Sequence, residues 1–564
     1  RGGTHQLAST LTFDSSDSGT NGYTISYVAY VNEVPIVSGG KAIAGTGWTL
    51  YDSQKNIYKK TLSGFTTFRQ LYVNGSEAVR ARYPNAAAET NLVNNPGFED
   101  GLSAWTANGA TLSRVTAGTK GGTLGSAKIS VTNDWGRAFQ TIAMTKNKKY
   151  MISFWVKLDT GTNVAQIILT HRSGTPVYEY LSSNTAVDTN WKQLRAMYTY
   201  TGTGSVGDAE IEVRIGNGKE KLTYYIDDVS VTEATSYFST TGADVNNKYF
   251  IINDSDLPPA PININKTELV VHPHWYHENL RISSIEDYDT TKSKIVIMSP
   301  ESNTGLSQTK GNAFYTNNTY FYENDLSFLD VEGEWYLDSA NMVLYYKPRS
   351  GENIATVEIV APQLEKLVNI EGTSGNPVRN IQFRWITFTQ DNWTWPDNNG
   401  LVSTQAFQPI NGGNSIAAIQ VAYGNNLVFK SNTFKMTAGN GLNFYKGVKN
   451  SQIISNTFDS IGANGIFLDV YGSINPAAAD LTENILVANN EFKKFGRVVS
   501  NGDAIMASWI KNCTIEHNLI YDGPYSGIQI GNQSSGYIDT PANYNTIRNN
   551  KIYDVAKMHD DGGG

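Results

Sequence analysis

The sequence holds a single cysteine, Cys513, in 564 residues, so it has no disulfide scaffold and no thiolate metal cluster. Cys513 reads as a buried structural thiol. Charged residues are scarce at 17%, against a usual ~25%. Polarity must therefore come from Asn, Ser, Thr and Gly. No basic stretch is present and the net charge is −8, which argues against a nucleic-acid partner. No apolar run reaches ~18 residues, so no membrane-spanning helix is expected. Glycine-rich phosphate loops and serine nucleophile elbows are missing too. The sequence opens at Arg1 without a signal peptide and stops at Gly564 within a glycine run, and it reads as a segment of a longer chain.

What is present is 40% hydrophobic and 11% aromatic residues, too apolar for a disordered chain. Length alone suggests roughly three to four domains, or fewer if one is elongated. Short alternating runs between Gly, Asn, Asp and Ser clusters point to an all-β protein. The style of the sequence divides it into residues 1–87, with early coils and the start of an accessory β region; 88–233, a compact inserted β-sandwich; 234–356, the rest of the accessory region; and 357–564. Within the third segment, Gly333–Asp338 and Leu344–Tyr346 read as hairpin strands.

The last segment carries an internal repeat. An Asn recurs two residues before an apolar residue at Asn432, Asn456, Asn490, Asn518 and Asn550, 24 to 34 residues apart. Between these lie short β runs that start from a small residue: Gly441, Gly465, Ala504 and Gly527. One such unit cannot bury its own apolar face, so the units must stack. Fixed strand cores with variable loops argue for a right-handed parallel β-helix whose Asn side chains bond neighbouring coils at a turn. Function then falls to the inserted loops.

Carboxylates are the remaining source of chemistry. Aligned on the small residues, Asp503 precedes Ala504 by one position, and Asp469 follows Gly465 by four. Asp561, with Asp560 before it, precedes Gly564 by three. Coils stack at ~4.8 Å, which puts Asp503 and Asp561 about 10 Å apart along the axis. That is near the upper separation for an inverting carboxylate pair and too wide for a retaining one. The alternative for each Asp is a turn cap. Aromatic residues suited to sugar rings lie nearby in the sequence: Trp393, Trp395, Trp509, Tyr525 and Tyr537. Gln529 and His559 add hydrogen-bonding candidates. In the sandwich, Trp135 in the loop Asn133-Asp134-Trp135-Gly136-Arg137 is the stacking candidate, with Arg137 beside it. Glu99 and Asp227, at the two ends of that module, are oxygen donors for a structural calcium or else ordinary surface carboxylates. The spacing of His272, His274 and His277 matches no structural zinc pattern and supplies no fourth ligand, so packing histidines are expected there.

Two resemblances add to this reading. Asn95-Pro-Gly-Phe-Glu99, Trp105, Tyr150-Met-Ile-Ser-Phe-Trp155-Val-Lys157, Asn190-Trp191 and Tyr225-Ile-Asp-Asp-Val229 resemble carbohydrate-binding modules of the family 4/9/16 type. The resemblance implies a jelly roll that often holds one calcium. Arg1-Gly-Gly-Thr4, Pro35–Gly40, Arg80–Asn85, Gly333–Asp338, Tyr345-Tyr346, Ile386-Thr-Phe388, Tyr525-Ser-Gly-Ile528 and Asp561–Gly564 resemble bacterial β-helix enzymes of glycoside hydrolase family 141. That resemblance implies a secreted glycosidase acting on a polysaccharide or oligosaccharide, in a family with fucosidase and xylanase activities. It ranks Asp561 first among the acids, Asp503 second and Asp469 third. The chain departs from the pattern at Ala504, where Gly commonly opens the strand, and at His559-Asp560. A polysaccharide lyase on the same fold is the alternative, disfavoured because Arg497, Lys511 and Arg548 are dispersed rather than clustered. A non-catalytic adhesin is the third reading.

Overall fold

A computed structural model of the chain describes residues 1–85, 91–99, 101–120, 125–146, 148–203, 208–233, 237–258, 261–304, 316–395, 399–404, 408–409, 416–468, 477–531 and 543–559. The chain divides into two compact units. One comprises residues 1–84 and 237–564, and the other residues 85–236. Both are built of strands; the single α-helical turn among the described residues is Glu301–Thr304.

The first unit contains three parallel sheets that the chain visits in rotation. From Ala417 onward it passes through one strand of each sheet in the same order, coil after coil. One coil is Asn440–Lys446, Gln452–Ile454 and Thr457–Ile461, and the next is Ile466–Leu468, Leu486–Ala488 and Glu491–Lys493. The N-terminal strands Gly3–Gln6, Leu11–Phe13 and Ile25–Val28 join the same three sheets, so that Phe13 pairs with Ile370.

The repeat explains this stacking. Parallel register aligns Phe388, Phe434, Phe458, Phe492, Ile520 and Ile552 in one inward column. The rings of Phe434, Phe458 and Phe492 stack face to face at 4.7 Å, tilted by 3° and 7°. At the adjoining turn the recurrent asparagines form a buried ladder. Asn456 Oδ1 accepts the Asn432 amide at 2.9 Å, and Asn490 Oδ1 accepts the Asn456 amide at 2.8 Å. The Nδ2 groups donate to the carbonyls of Phe429 and Ile453 at 3.0 and 2.9 Å. Buried backbone groups that the turn takes out of the sheets are thereby paired. The small residues follow from the Phe column. A Cβ on Gly441 would meet the Phe458 ring at 2.9 Å, and one on Gly465 the Phe492 ring at 2.6 Å. The row continues through Ala504 to Gly527, where a Cβ would meet Ile552 at 2.7 Å. Cys513 is buried and free in this core, as its isolation suggested.

The rest of the unit is mainly antiparallel, although Val79–Arg80 joins Glu334–Asp338 in parallel. Glu334–Asp338 and Val343–Tyr346 form the expected hairpin, with Trp335 opposite Tyr346. A second sheet contains Glu268–His272, Glu278–Asp287, Lys292–Ile297 and Thr319–Glu323. Leu401–Thr404, which lies among the coils in sequence, pairs with Glu278–Asp287 and so belongs to this sheet. Arg69 and Arg80 lie buried between Glu268 and Glu323.

The second unit has two antiparallel sheets around one core. One contains Thr106–Asn108, Arg137–Ile142, Ala209–Ile215, Asn163–His171 and Val177–Tyr180; the other contains Ala110–Val115, Ser126–Val131, Thr223–Glu233, Lys149–Leu158 and Lys192–Thr199. Ile152, Phe154 and Val156 alternate inward and are fully buried with Phe98, Trp105 and Ile211.

Candidate active site

Asp503 sits at the start of Ile505–Ala507, a strand of the sheet that also contains Asn440–Lys446 and Ile466–Leu468. It occupies the third rung of a second side-chain ladder. Asn440 Oδ1 accepts the Asn464 amide at 2.8 Å, and Asn464 Oδ1 accepts the Asp503 amide at 2.7 Å. On the first rung Asn440 Nδ2 also donates to Asn443 Oδ1 at 2.9 Å. The register that starts at Asn443 runs through Phe467 and Met506 to Gln529. The Asp503 coil thus has a thioether side chain where the first rung has an amide. Asp503 is completely buried, and neither carboxyl oxygen has a well-formed hydrogen bond among the described residues. Burial pushes its carboxyl well above the usual carboxylate range, and the Ser526 amide offsets only part of that. An acid thus stands at a rung otherwise built of Asn and is held toward its neutral form.

Asp469, Asp560, Asp561 and Tyr537 lie outside the described residues. His559 is buried; its Nδ1 lies 2.7 Å from the His274 carbonyl and its Nε2 3.0 Å from Ser500 Oγ. Tyr525 meets the His559 ring edge-on at 5.4 Å. Gln529 is half-buried at the end of the Asn443 row.

Burial corrects the role expected for three aromatic rings. Trp393, Trp509 and Tyr525 are at most 1% exposed and have no face to offer a sugar. Trp393 packs with Leu401, Ala438, Ala463 and Val499, and Trp395 lies partly buried against that cluster. Trp393 and Trp395 thereby pack beside Ala438, Ala463 and Val499, in the turns that deliver Asn440, Asn464 and Asp503. Sequence position brought them near the acids, but only the three-dimensional cover decides which face is wet. Other buried carboxyls, Asp391, Glu278 and Glu334 among them, were not anticipated. Burial raises Asp391 to about 8 although the Ala438 amide donates to it, and it raises Glu278 to about 8.

The histidine cluster is not the one adjacent in sequence. His272 and His277 meet His559, with ring centres 5.1 and 6.0 Å from that of His272, while His274 contributes its carbonyl. No group of three metal-ligating residues lies close enough to hold an ion among the described residues. An open groove of about 760 Å³ between Tyr51–Ile57 and Pro261–Asn265 shares no residue with this site. Its Asp52 and Asp325 accept hydrogen bonds from neighbouring amides.

In the second unit Trp135 is 51% exposed, with a left-handed φ of 63°. The Arg214 guanidinium lies 5.2 Å from its ring centre and 5.6 and 5.7 Å from those of Tyr178 and Tyr180, both exposed. Arg137 is buried, pairing with Glu210 and Glu212, and Arg214 also pairs with Glu212. Tyr178, Tyr180 and Arg214 escaped the sequence reading. Their alternation within Val177–Tyr180 and Ala209–Ile215 was the available signal. Near Gly97, a side chain would meet Glu99 Oε1 at 3.4 Å and Asp228 Oδ1 at 3.5 Å. Asp227 is buried and accepts hydrogen bonds from Ser126 Oγ at 2.7 Å and the Asp228 amide at 2.8 Å.

Comparison with known proteins agrees with this division. Residues 90–220 match a family described as a carbohydrate binding domain, and residues 228–349 match the GH141 insertion domain. The chain resembles a family 141 glycoside hydrolase that carries a carbohydrate-binding module. A solved structure described as a glycoside hydrolase superposes at a TM-score of 0.63 and 21% identity, covering 100% of this chain and 76% of that one, and shares the fold. The CBM22-1 xylan-binding domain of Paenibacillus barcinonensis Xyn10C superposes at 0.24 and 20% identity, covering 27% of this chain and 99% of that one. A structure described as "CBM4 structure and function" gives 0.21 and 21%, covering 25% and 99%. No curated protein matches the chain.

Proposed function

We propose that this chain is a secreted glycoside hydrolase that cleaves a complex polysaccharide on a right-handed parallel β-helix, with an inserted jelly-roll module holding the polymer. The observation that carries the reading is the buried carboxyl of Asp503 at the rung where the two preceding coils have Asn. Asp503, protonated by its surroundings and completely buried, donates its Oδ proton to the glycosidic oxygen, as the bond from that oxygen to the anomeric carbon breaks, only once the turns covering it open to the substrate. Asp561 takes a proton from the water whose oxygen bonds to the anomeric carbon. Both acids then return to their starting states by exchange with solvent. On the module, the Trp135, Tyr178 and Tyr180 rings supply flat apolar faces for sugars, and the paired Arg and Glu side chains supply directional hydrogen bonds.

A calcium ion at Glu99 and Asp227 is part of this proposal, and it would have to compete with the Ser126 bond to Asp227 and with Lys120, which pairs with the adjacent Asp228. Bound there, the ion would tie the first strands of the module to the last. Chelation should then lower the melting temperature of the wild-type module and leave that of Glu99→Gln unchanged.

The function is tested by incubating the protein with a panel of plant, algal and bacterial polysaccharides and analysing the products. Saturated reducing ends support hydrolysis. Products with a new ultraviolet-absorbing double bond would identify a lyase, and binding without products would leave an adhesin.

A further inference from the structure

The segment that delivers Asp503 is a tight turn, closed by the Gly502 amide donating to the Val499 carbonyl at 3.0 Å. Its two central residues are both gripped from outside. Ser500 N and Oγ lie 3.3 and 3.0 Å from His277 Nδ1, and the same Oγ lies 3.0 Å from His559 Nε2. Asn501 Nδ2 donates to Ser403 Oγ at 3.1 Å, and Ser403 Oγ donates to the His277 carbonyl at 2.8 Å. His277 and Ser403 belong to neighbouring parts of the antiparallel accessory sheet, and His559 stands two residues before Asp561.

The protons in this cluster can be assigned. The His274 carbonyl can only accept, so His559 Nδ1 carries a proton and, in the neutral ring, Nε2 accepts from the Ser500 hydroxyl. The Ser500 amide donates to His277 Nδ1, which leaves His277 Nε2 to donate to Asn279 Oδ1 at 2.8 Å. Asn279 Nδ2 then donates to Glu323 at 3.3 Å, and Glu323 is fixed by Arg69 and Arg80. Burial keeps His277 neutral, with its pKa lowered to about 3. The Ser500 hydroxyl has one proton and gives it to His559 Nε2, so His277 Nδ1 is held by the Ser500 amide, and the chain of bonds ends on a charged anchor.

We infer that His277 and Ser500, acting with His559, form a positioning clamp by which the accessory sheet fixes the turn carrying Asp503. The inference rests on the reading of Asp503 as a reacting acid. His277 and Ser500 are buried and touch no substrate; they act through Asp503. Sub-ångström placement of reacting groups matters because a ~1 Å displacement can lower a rate by about 10²-fold.

The test uses the full chain and whichever polymer of the panel it hydrolyses, assayed by reducing ends. Ser500→Ala and His277→Phe should lower kcat by about 10- to 100-fold, with KM within about threefold, in protein that is fully folded by circular dichroism and calorimetry. The acid limb of the pH–rate profile should move in both. His277→Asn, which keeps an acceptor near the Nδ1 position, should recover a substantial part of kcat. A merely structural role lowers activity only in proportion to the folded fraction and leaves the pH profile in place, and that result overturns the clamp. Wild-type kcat in both variants overturns it too. Should His277→Phe fail to fold, the smaller Ser500→Ala decides alone. Asp503→Asn and Asp561→Asn are run in parallel. If they keep full activity, the reading of the acids has failed; if they are inactive while Ser500→Ala keeps wild-type kcat and pH profile, only the clamp has.

Discussion

A proton donor built into a ladder of amides should weaken the fold that holds it. Asp503→Asn tests this, because Asn repeats what Asn440 and Asn464 do on the two preceding coils. The neutral amide keeps an Oδ1 acceptor for the Ser526 backbone and removes a carboxyl that is fully buried without a well-formed partner. An uncompensated buried polar or charged group costs about 1–3 kcal/mol, so Asn should gain stability of that order when the acid would be ionised. The sign with pH follows from the raised pKa. Wild-type stability is fully present below the unfolded-state carboxylate range and declines as pH rises towards the folded-state value. Asn loses nothing over that range. The variant should match wild type at about pH 4, the ordinary carboxylate value, and exceed it progressively as the pH rises above that. In a unit of this size such a gain moves the melting midpoint by only a few degrees, about 1–4 °C, so denaturant titrations at several pH values should accompany calorimetry. Asp503→Ala supplies the contrast, since it deletes the rung. If Asp503→Asn is destabilised as much as Asp503→Ala at every pH, Asp503 is a satisfied structural carboxylate and its functional reading falls.

Other predictions follow from the same geometry. Asn456→Ala removes four side-chain hydrogen bonds of the turn ladder and strands buried partners on both neighbouring coils, so it should cost about 3–5 kcal/mol in denaturant unfolding; a loss below 1 kcal/mol would show that the ladder is decorative. Glu278, raised to about 8 by burial, should make unfolding stability fall as pH rises from about 4.5 to 8, by a few kcal/mol at most, and Glu278→Gln should flatten that slope. Trp135→Ala and Arg214→Ala should each weaken retention on insoluble polymer about tenfold while leaving turnover of short oligosaccharides unchanged; equal retention would move the glycan site elsewhere on the module.

Repeats were the most legible part of the chain. The Asn and small-residue rows announced stacked coils because each coil must solve the same turn and the same close approach to the Phe column. Alignment on those rows put Ala504 level with Gly441 and Gly465, and the strand register has it there. What it could not display was cover. Trp393, Trp509 and Tyr525 have the composition of a sugar platform, yet neighbouring turns close over them, and no periodicity encodes that. Nor could spacing bring His277 to Ser500, 223 residues away, or bind Ser500 to His559. On the module, Trp135 was visible as an aromatic in a polar loop. Tyr178, Tyr180 and Arg214 converge on it only after the strands pair.

The most direct test of the account is hydrolysis by wild type, Asp503→Asn and Asp561→Asn on the panel polysaccharide that wild type degrades. The account predicts saturated reducing ends from wild type, a loss of at least about 10³-fold in kcat for each variant, and unchanged retention on the polymer. Full activity in both variants, or products carrying a new double bond, would contradict it.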